Sequence, residues 1–164
     1  MNPFPAPAPA PRHSIPALVG WLLLCFGASA SAAFGSPDAW YAALHKPSWN
    51  PPPWIFGPVW SLLYGMMAFA AWMVWKQGGW RQQRGPLGWF LVQWALNAAW
   101  TPLFFGLHLP GVALLEMLLL WAAITWTIRC FWTVRKAAAC LLVPYWLWVG
   151  FAAFLNLTLW RLNP

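Results

Sequence analysis

Acidic side chains are almost missing from this chain: Asp38 and Glu116 are the only two in 164 residues, against nine lysines and arginines. With charged residues at 7% of the sequence, no stretch long enough for a soluble domain has a solvated face, which excludes a soluble globular class. Cysteine is scarce too. Cys25, Cys130 and Cys140 lie in or beside apolar segments without CxxC spacing, so they read as small buried hydrophobes with no disulfide framework. The three histidines, His13, His45 and His108, fall outside the apolar segments, which argues against axial ligation of haem. There is no HExxH, no Gly-rich phosphate loop, and no Cys–His or Ser–His pair that the segments would bring together. No metal site and no required cofactor are therefore expected. The basic residues sit at segment ends and form no continuous stripe, which argues against nucleic-acid binding.

What the chain has instead is apolar length. A bilayer core requires about 20 consecutive apolar residues per helix, and five stretches approach it: 15–34, 54–75, 87–105, 112–132 and 137–160. Lipid forbids unpaired backbone groups and period-2 alternation is absent, so an all-α integral membrane bundle of five transmembrane helices is expected. The domain reading is a disordered Pro-rich tail at 1–14, suited to polyproline II, and a five-helix domain at 15–164. The first stretch also has features of a cleavable signal peptide, since Arg12 precedes it and Ala28-Ser29-Ala30 resembles a cleavage site. Against cleavage, Gly27, Ser31 and Gly35 recur every four positions and would admit a close neighbouring helix. Arg12, Lys76, Arg81, Arg84, Arg129, Arg135 and Lys136 flank one side of a five-span topology; only Lys46 and Arg161 flank the other. That asymmetry places the N-terminus in the cytoplasm if the membrane is a bacterial inner one, with an outer membrane as the alternative.

Tryptophan is the strongest enrichment, with 17 residues. Trp75, Trp80, Trp89, Trp132 and Trp160 sit towards segment ends, as interfacial belt residues do. The connection 36–53 carries Trp40, Tyr41, Trp49 and five prolines. Its start suits a short capped helix, with Ser36 or Asp38 as the cap and Pro37 beside it. Its end is stiffened by Pro47 and Pro51-Pro52-Pro53. A rigid aromatic loop of this length suits a lid over a ligand site, the other reading being a loop anchored in the headgroups.

Inside the segments, polar groups are costly and point to an interior or a cavity. Gln93, Asn97, Trp100 and Phe104 share one helical face; Trp60 and Tyr64 share another; Tyr145, Trp148, Ala152 and Asn156 share a third. Such stripes compose a pocket for a flat, mostly apolar ligand, or else the amides simply bond between helices. Pro58, Pro102 and Pro144 would bend their helices. Glu116, alone in an apolar run, would reach the headgroups, pair with His108, or be held neutral.

Several of these segments resemble one family. Trp40-Tyr41 and Lys46-Pro47-Ser48-Trp49-Asn50-Pro51-Pro52 carry the resemblance in the loop, with Phe56-Gly57-Pro58-Val59-Trp60 through Tyr64 in the second segment. Asn97-Ala98-Ala99-Trp100-Thr101-Pro102-Leu103-Phe104-Phe105 carries it in the third. Val143-Pro144-Tyr145-Trp146-Leu147-Trp148, Leu155-Asn156 and Arg161-Leu162-Asn163 complete it. The chain resembles the translocator proteins, also called tryptophan-rich sensory proteins or peripheral-type benzodiazepine receptors. The resemblance implies a five-helix bundle, commonly a homodimer, whose central pocket binds porphyrins such as protoporphyrin. It also implies ligand contacts at Tyr41, Trp60, Tyr64, Asn97, Trp100, Trp148 and Ala152. With the stripes and lid, the candidate ligand-binding set is Tyr41, Trp49, Pro51, Trp60, Tyr64, Gln93, Asn97, Trp100, Tyr145, Trp148 and Ala152. The leading expectation is a porphyrin-binding receptor or transporter with a regulatory or stress-sensing role. A second is an enzyme promoting light- and oxygen-dependent breakdown of bound protoporphyrin, with Trp60, Trp100 and Trp148 as its oxidizable residues. A third is an interaction protein using the N-terminal tail. The family's sterol motif fails at 155–161, which lacks its tyrosine.

Overall fold

The computed structural model describes residues 14–164; the Pro-rich tail expected at 1–14, with Arg12 and His13, lies outside the described residues except for Ser14. Helix α1 (Ser14–Gly27) continues as a 3₁₀ helix (Ala28–Phe34). The short α2 (Ala39–Ala43) follows, then α3 (Pro53–Trp75) and α4 (Gly79–Thr101). Helix α4 runs into a π-helical turn (Pro102–Gly106), and α5 (Pro110–Val134) and α6 (Lys136–Leu162) complete the bundle. No strand occurs among the described residues.

Four stretches, Ile15–Phe34, Pro53–Trp75, Pro110–Val134 and Lys136–Leu162, are long and apolar enough to cross a membrane. The expected fifth, 87–105, is part of a helix of full length, but α4 starts eight residues earlier, at Gly79, and takes in Arg81 and Arg84. Those polar first turns, together with Gln93 and Asn97 further along, keep α4 below the apolarity of its neighbours. Pro86 removes a backbone donor in these same turns, and Gln83 departs from helical angles at φ −113°, ψ 22°. The turn before α4 uses a glycine for its conformation: Gly78 has φ 117°, a region that residues with a Cβ avoid.

Helix α1 packs on α3, α3 on α6 and α4, α6 on α5, and α5 on α4, while the 3₁₀ segment leans on α4 and the π turn. The ring so closed has Lys76, Arg81, Arg84, Arg129, Arg135 and Lys136 around one end, with Lys46 and Arg161 at the other, since successive long helices run in opposite directions. Helices α5 and α6 are parted by Arg135 alone, extended at φ −156°, ψ 108°.

A group of tryptophans that the sequence left unassigned ties the ring together. Trp94 Nε1 donates to the Leu24 carbonyl across α4 and α1 at 2.9 Å. Trp121 Nε1 donates to the Trp146 carbonyl at 3.2 Å, Trp146 Nε1 donates to Thr125 Oγ1 at 2.8 Å, and the two indoles stack 4.7 Å apart. In lipid, where apolar contact alone gives little drive for helix association, such bonds fix which helices meet. Trp75 packs against the core and belongs with these helix-facing indoles, whereas Trp80, Trp89, Trp132 and Trp160 are exposed.

Three local expectations change. The Gly27, Ser31, Gly35 spacing presumes a 3.6-residue repeat, but the backbone there is 3₁₀ and turns in three. Only Gly35 meets a neighbour closely; a Cβ on Gly27 would have nothing within 4 Å. Of the cysteines only Cys25 is buried, Cys140 being exposed. Pro58 and Pro144 do lie inside helices, while Pro102 opens the π turn instead of bending a helix.

Candidate functional site

Between the 3₁₀ segment, α3, α4, α5 and α6, roofed by residues 36–53, lies a cavity of about 750 Å³. This is within the range of small-molecule sites. The roof forms because Asp38 accepts the Tyr41 N–H at 3.0 Å and so caps α2; a turn then closes from Pro47 to Asn50, whose N–H donates to the Pro47 carbonyl at 3.0 Å, and Pro51 and Pro52 lead to Pro53, which opens α3. Asp38, and not Ser36, is the cap.

Eight of the predicted positions line this space: Tyr41, Pro51, Trp60, Tyr64, Asn97, Trp100, Trp148 and Ala152. Trp49, Gln93 and Tyr145 do not. Trp49 lies on the outer face of α6, stacked on Phe154 at 5.3 Å and edge-on to Phe151 at 6.0 Å, so it anchors the loop. Gln93 and Tyr145 share their helical faces with lining residues but lie deeper and are fully buried. Their polar atoms have no hydrogen-bond partner; the Tyr145 hydroxyl comes near the Asn97 side chain without meeting hydrogen-bond geometry.

The walls are aromatic. Trp100 stacks on Phe104 at 5.1 Å, and Tyr41 meets Phe105 edge-on at 5.2 Å. Opposite, Trp60 is tilted against Tyr64 at 5.3 Å and Phe56 lies edge-on to Trp148 at 5.9 Å. Polar groups are few and mostly committed to other helices. The Tyr64 hydroxyl donates to Asn97 Oδ1 at 3.2 Å. Asn156 accepts from Trp100 Nε1 at 3.3 Å and donates to the Pro110 carbonyl at 2.7 Å, joining α4, α5 and α6. The amides at 97 and 156 thus serve both as interhelical bonds and as cavity wall. Trp148 Nε1–H is buried beside the cavity with no protein acceptor.

Charge appears only at the roof. Lys46 Nζ donates to the carbonyls of Tyr41, Ala42 and Leu44 at 2.6, 3.2 and 3.2 Å and lies 4.6 Å over the Tyr41 ring. A cation on the last carbonyls of a short helix stabilises it. The Asp38 carboxyl is held below its ordinary range, first by the Tyr41 N–H and then by the nearby His108. Burial pushes the Tyr41 phenol up, an effect opposed by the nearby Asn50 amide. Asp38 also meets His108 Nε2 at 3.1 Å, so the partner expected for Glu116 is taken. Glu116 is buried on α5, with neither carboxyl oxygen hydrogen-bonded within the protein. Its burial follows from its face: Glu116 is one turn before Leu120 and one after Ala113, and both of those turn inward.

The family model for the TspO/MBR family matches residues 15–161, nearly the whole described chain. The chain belongs to the TspO/MBR family. Among curated proteins it is 41% identical over 153 residues to the translocator protein of Bos taurus, covering 91% of this chain and 90% of that one. It is 41% identical over 146 residues to protein CrtK of Rhodobacter capsulatus, with 88% and 91% covered. The tryptophan-rich protein TspO of Chlorobaculum tepidum is 42% identical over 152 residues, with 87% and 96% covered. Family membership and the four apolar helices make this TspO/MBR chain an integral membrane protein with a helical bundle. Several lining groups of this family member escaped sequence reasoning: Ser29, Ala32, Gly57, Asn50 and Phe105. Small residues carry no chemical signal, and only the departure of the 3₁₀ segment from α3 makes them a wall.

Proposed function

We propose that this TspO/MBR protein binds porphyrins, tetrapyrroles such as protoporphyrin IX, in the cavity beneath the 36–53 roof and acts as a membrane receptor or transporter in regulation or stress sensing. The observation that carries the reading is the cavity itself: broad, walled by indole and phenyl faces from three helices, with isolated polar groups among them. A flat apolar macrocycle gains from offset stacking on such faces, and one hydrogen-bond acceptor on it would answer the Trp148 N–H. The resident ligand needs no further cofactor in this reading. With α4 counted as the fifth span, the basic end of the bundle faces the cytoplasm, with the N-terminus, in a bacterial inner membrane. A homodimer is the assembly that fits the family.

Purified protein titrated with protoporphyrin IX in the dark is expected to show saturable quenching of tryptophan fluorescence. Trp148→Phe, which keeps most of the ring area and loses the N–H, is expected to weaken binding about three- to tenfold. No saturable quenching in the parent protein would reject the reading.

A second reading rests on the placement of Trp60, Trp100 and Trp148 together on the cavity wall. Oxidizable indoles in van der Waals reach of a bound photosensitizer make light- and oxygen-dependent breakdown of protoporphyrin chemically feasible. Illumination of the same complex decides between the two: a new pigment product that diminishes in Trp100→Phe and Trp148→Phe supports the enzyme, and unchanged protoporphyrin spectra reject it.

A further inference from the structure

The roof helix α2 is tied down at both ends, and the two ties differ in kind. Beyond its C-terminal end, the Asn163 side chain clasps the backbone of His45: it accepts the His45 N–H at 2.8 Å and donates to the His45 carbonyl at 3.0 Å. Asn163 also donates to the Leu159 carbonyl at 2.8 Å, which fixes the clasp to α6. No group in that tie titrates. At its N-terminal end, Asp38 meets His108 Nε2 at 3.1 Å, and Trp40 lies flat on the His108 ring, with centroids 4.2 Å apart and planes 16° from parallel.

The second tie joins residues 70 positions apart, from the roof to the short connection between the π turn and α5. His108 has φ 54°, the one positive φ outside glycine among the described residues. That conformation is one that residues with a Cβ rarely adopt, and the imidazole it delivers lies between Trp40 and Asp38. We propose that Asp38, Trp40 and His108 form a proton-controlled latch on the roof, tightened when the imidazole is cationic and loosened when it is neutral, with the Asn163 clasp as the fixed hinge. The inference rests on reading 36–53 as the roof of a binding cavity.

The chemistry gives the latch its sign. A cationic imidazole forms an ion pair with the carboxylate and a cation–π contact with the indole, whereas a neutral one retains only a single hydrogen bond and apolar stacking. Asp38 remains ionised into mild acid because the Tyr41 N–H and His108 both favour its charged form. The latch therefore holds in mildly acidic conditions, where histidine side chains gain their proton, weakens as pH rises towards alkaline, and fails again in strong acid when Asp38 protonates. The other groups at this end leave the switch to His108. Lys46 is committed to the α2 carbonyls, and His45 is held through its backbone. The recess beside His108 is otherwise bordered by Trp40, Leu44, Pro110, Leu159, Trp160, Asn163 and the terminal Pro164. Arg161 is the cation of the last α6 turn, and Glu116 lies more than one turn into α5.

Asp38 and His108 are both partly exposed, so the effect is modest, and a two- to fivefold change in opening is the expected scale. It is read first without any ligand, as amide hydrogen-exchange protection of residues 41–44, normalised for intrinsic exchange, between about pH 5 and pH 8. Protection in the parent is expected to fall about two- to fivefold across that range. Asp38→Asn, which keeps the helix cap, and His108→Asn, which tolerates positive φ, are both expected to show no such slope. Asn163→Ala is expected to lower protection equally at both ends of the range. A flat parent profile, or a slope that survives in Asp38→Asn, overturns the latch. Release of protoporphyrin IX is then followed at the same pH values. Release that slows in acid in the parent and not in His108→Asn supports the latch, and release that is insensitive to pH while binding is intact overturns its control of the cavity. A protection slope without any protoporphyrin binding leaves the latch supported and removes the porphyrin reading alone.

Discussion

Replacing Gly35 by valine is expected to abolish recovery of folded, monodisperse protein, or to destabilise it by about 3 kcal/mol where any folds. Gly35 ends the 3₁₀ segment and lies against the π turn that closes α4. A Cβ added there would stand 2.6 Å from the Gly106 nitrogen and 3.0 Å from the Thr101 carbonyl oxygen. Both are backbone atoms and have no rotamer by which to retreat. The reciprocal change, Gly106→Ala, drives its Cβ into the Phe34 carbonyl and is expected to be similarly disruptive. The cause is close approach and not backbone conformation, since Gly35 has φ 173°, which any residue adopts. Gly88→Ala, with nothing within 4 Å of the added carbon, serves as the matched control and is expected to melt at or slightly above the parent temperature. A Gly35→Val protein that elutes and melts like the parent in detergent would sink the argument that these two backbones are in contact.

This contact also marks where the sequence stopped being legible. Hydropathy is a local, additive property, so four spans are readable to within two residues at each end, and the helical faces at Gln93 and Asn97, at Trp60 and Tyr64, and at Trp148 and Ala152 follow from a 3.6-residue repeat. What periodicity leaves out is depth along the bundle axis. Gln93 and Tyr145 share faces with Asn97 and Trp148 but lie a turn further from the roof, below the cavity. A repeat also presumes its own helix type. The run Ala28–Phe34 is as apolar as an α-helix would be, and its small residues carry no mark of the 3₁₀ path that separates it from α3. The polar first turns of α4 concealed the start of that helix for the opposite reason: Arg81, Gln82 and Arg84 read as a loop, although they lie within α4 on either side of the kink at Gln83. Pairings such as Asp38 with His108, or Trp94 with the Leu24 carbonyl, span 70 residues each, and no local pattern encodes them. In tryptophan the same limit shows as a missing class. Position within a segment separates edge from interior, but it does not separate an indole that walls a cavity from one that donates to a neighbouring helix.

Gly57→Phe is expected to remove protoporphyrin binding, by at least about tenfold in affinity, while leaving the fold intact or slightly more stable. Gly57 lies in the first turns of α3, lines the cavity, and an added Cβ there meets nothing within 4 Å. A benzyl group on that carbon starts from open space beside the cavity that Gly57 lines, with no backbone to displace. The free-energy terms on the folded state favour the variant: a helical glycine costs roughly 1 kcal/mol relative to alanine, and phenylalanine in an aromatic-lined space gains contact area. The terms on binding oppose it, because a ring in the cavity takes the stacking surface on which a macrocycle would lie. The two measurements thus move in opposite directions, which separates occlusion from damage: thermal melting should hold or rise while saturable quenching by protoporphyrin is lost. Gly57→Ala, which adds the carbon without the ring, is expected to bind like the parent. A Gly57→Phe protein that binds protoporphyrin with parental affinity would place the ligand elsewhere on the bundle, since Gly57 lines the same cavity wall as Trp60, Trp100 and Trp148 and a ring there competes for the surface on which the macrocycle would stack.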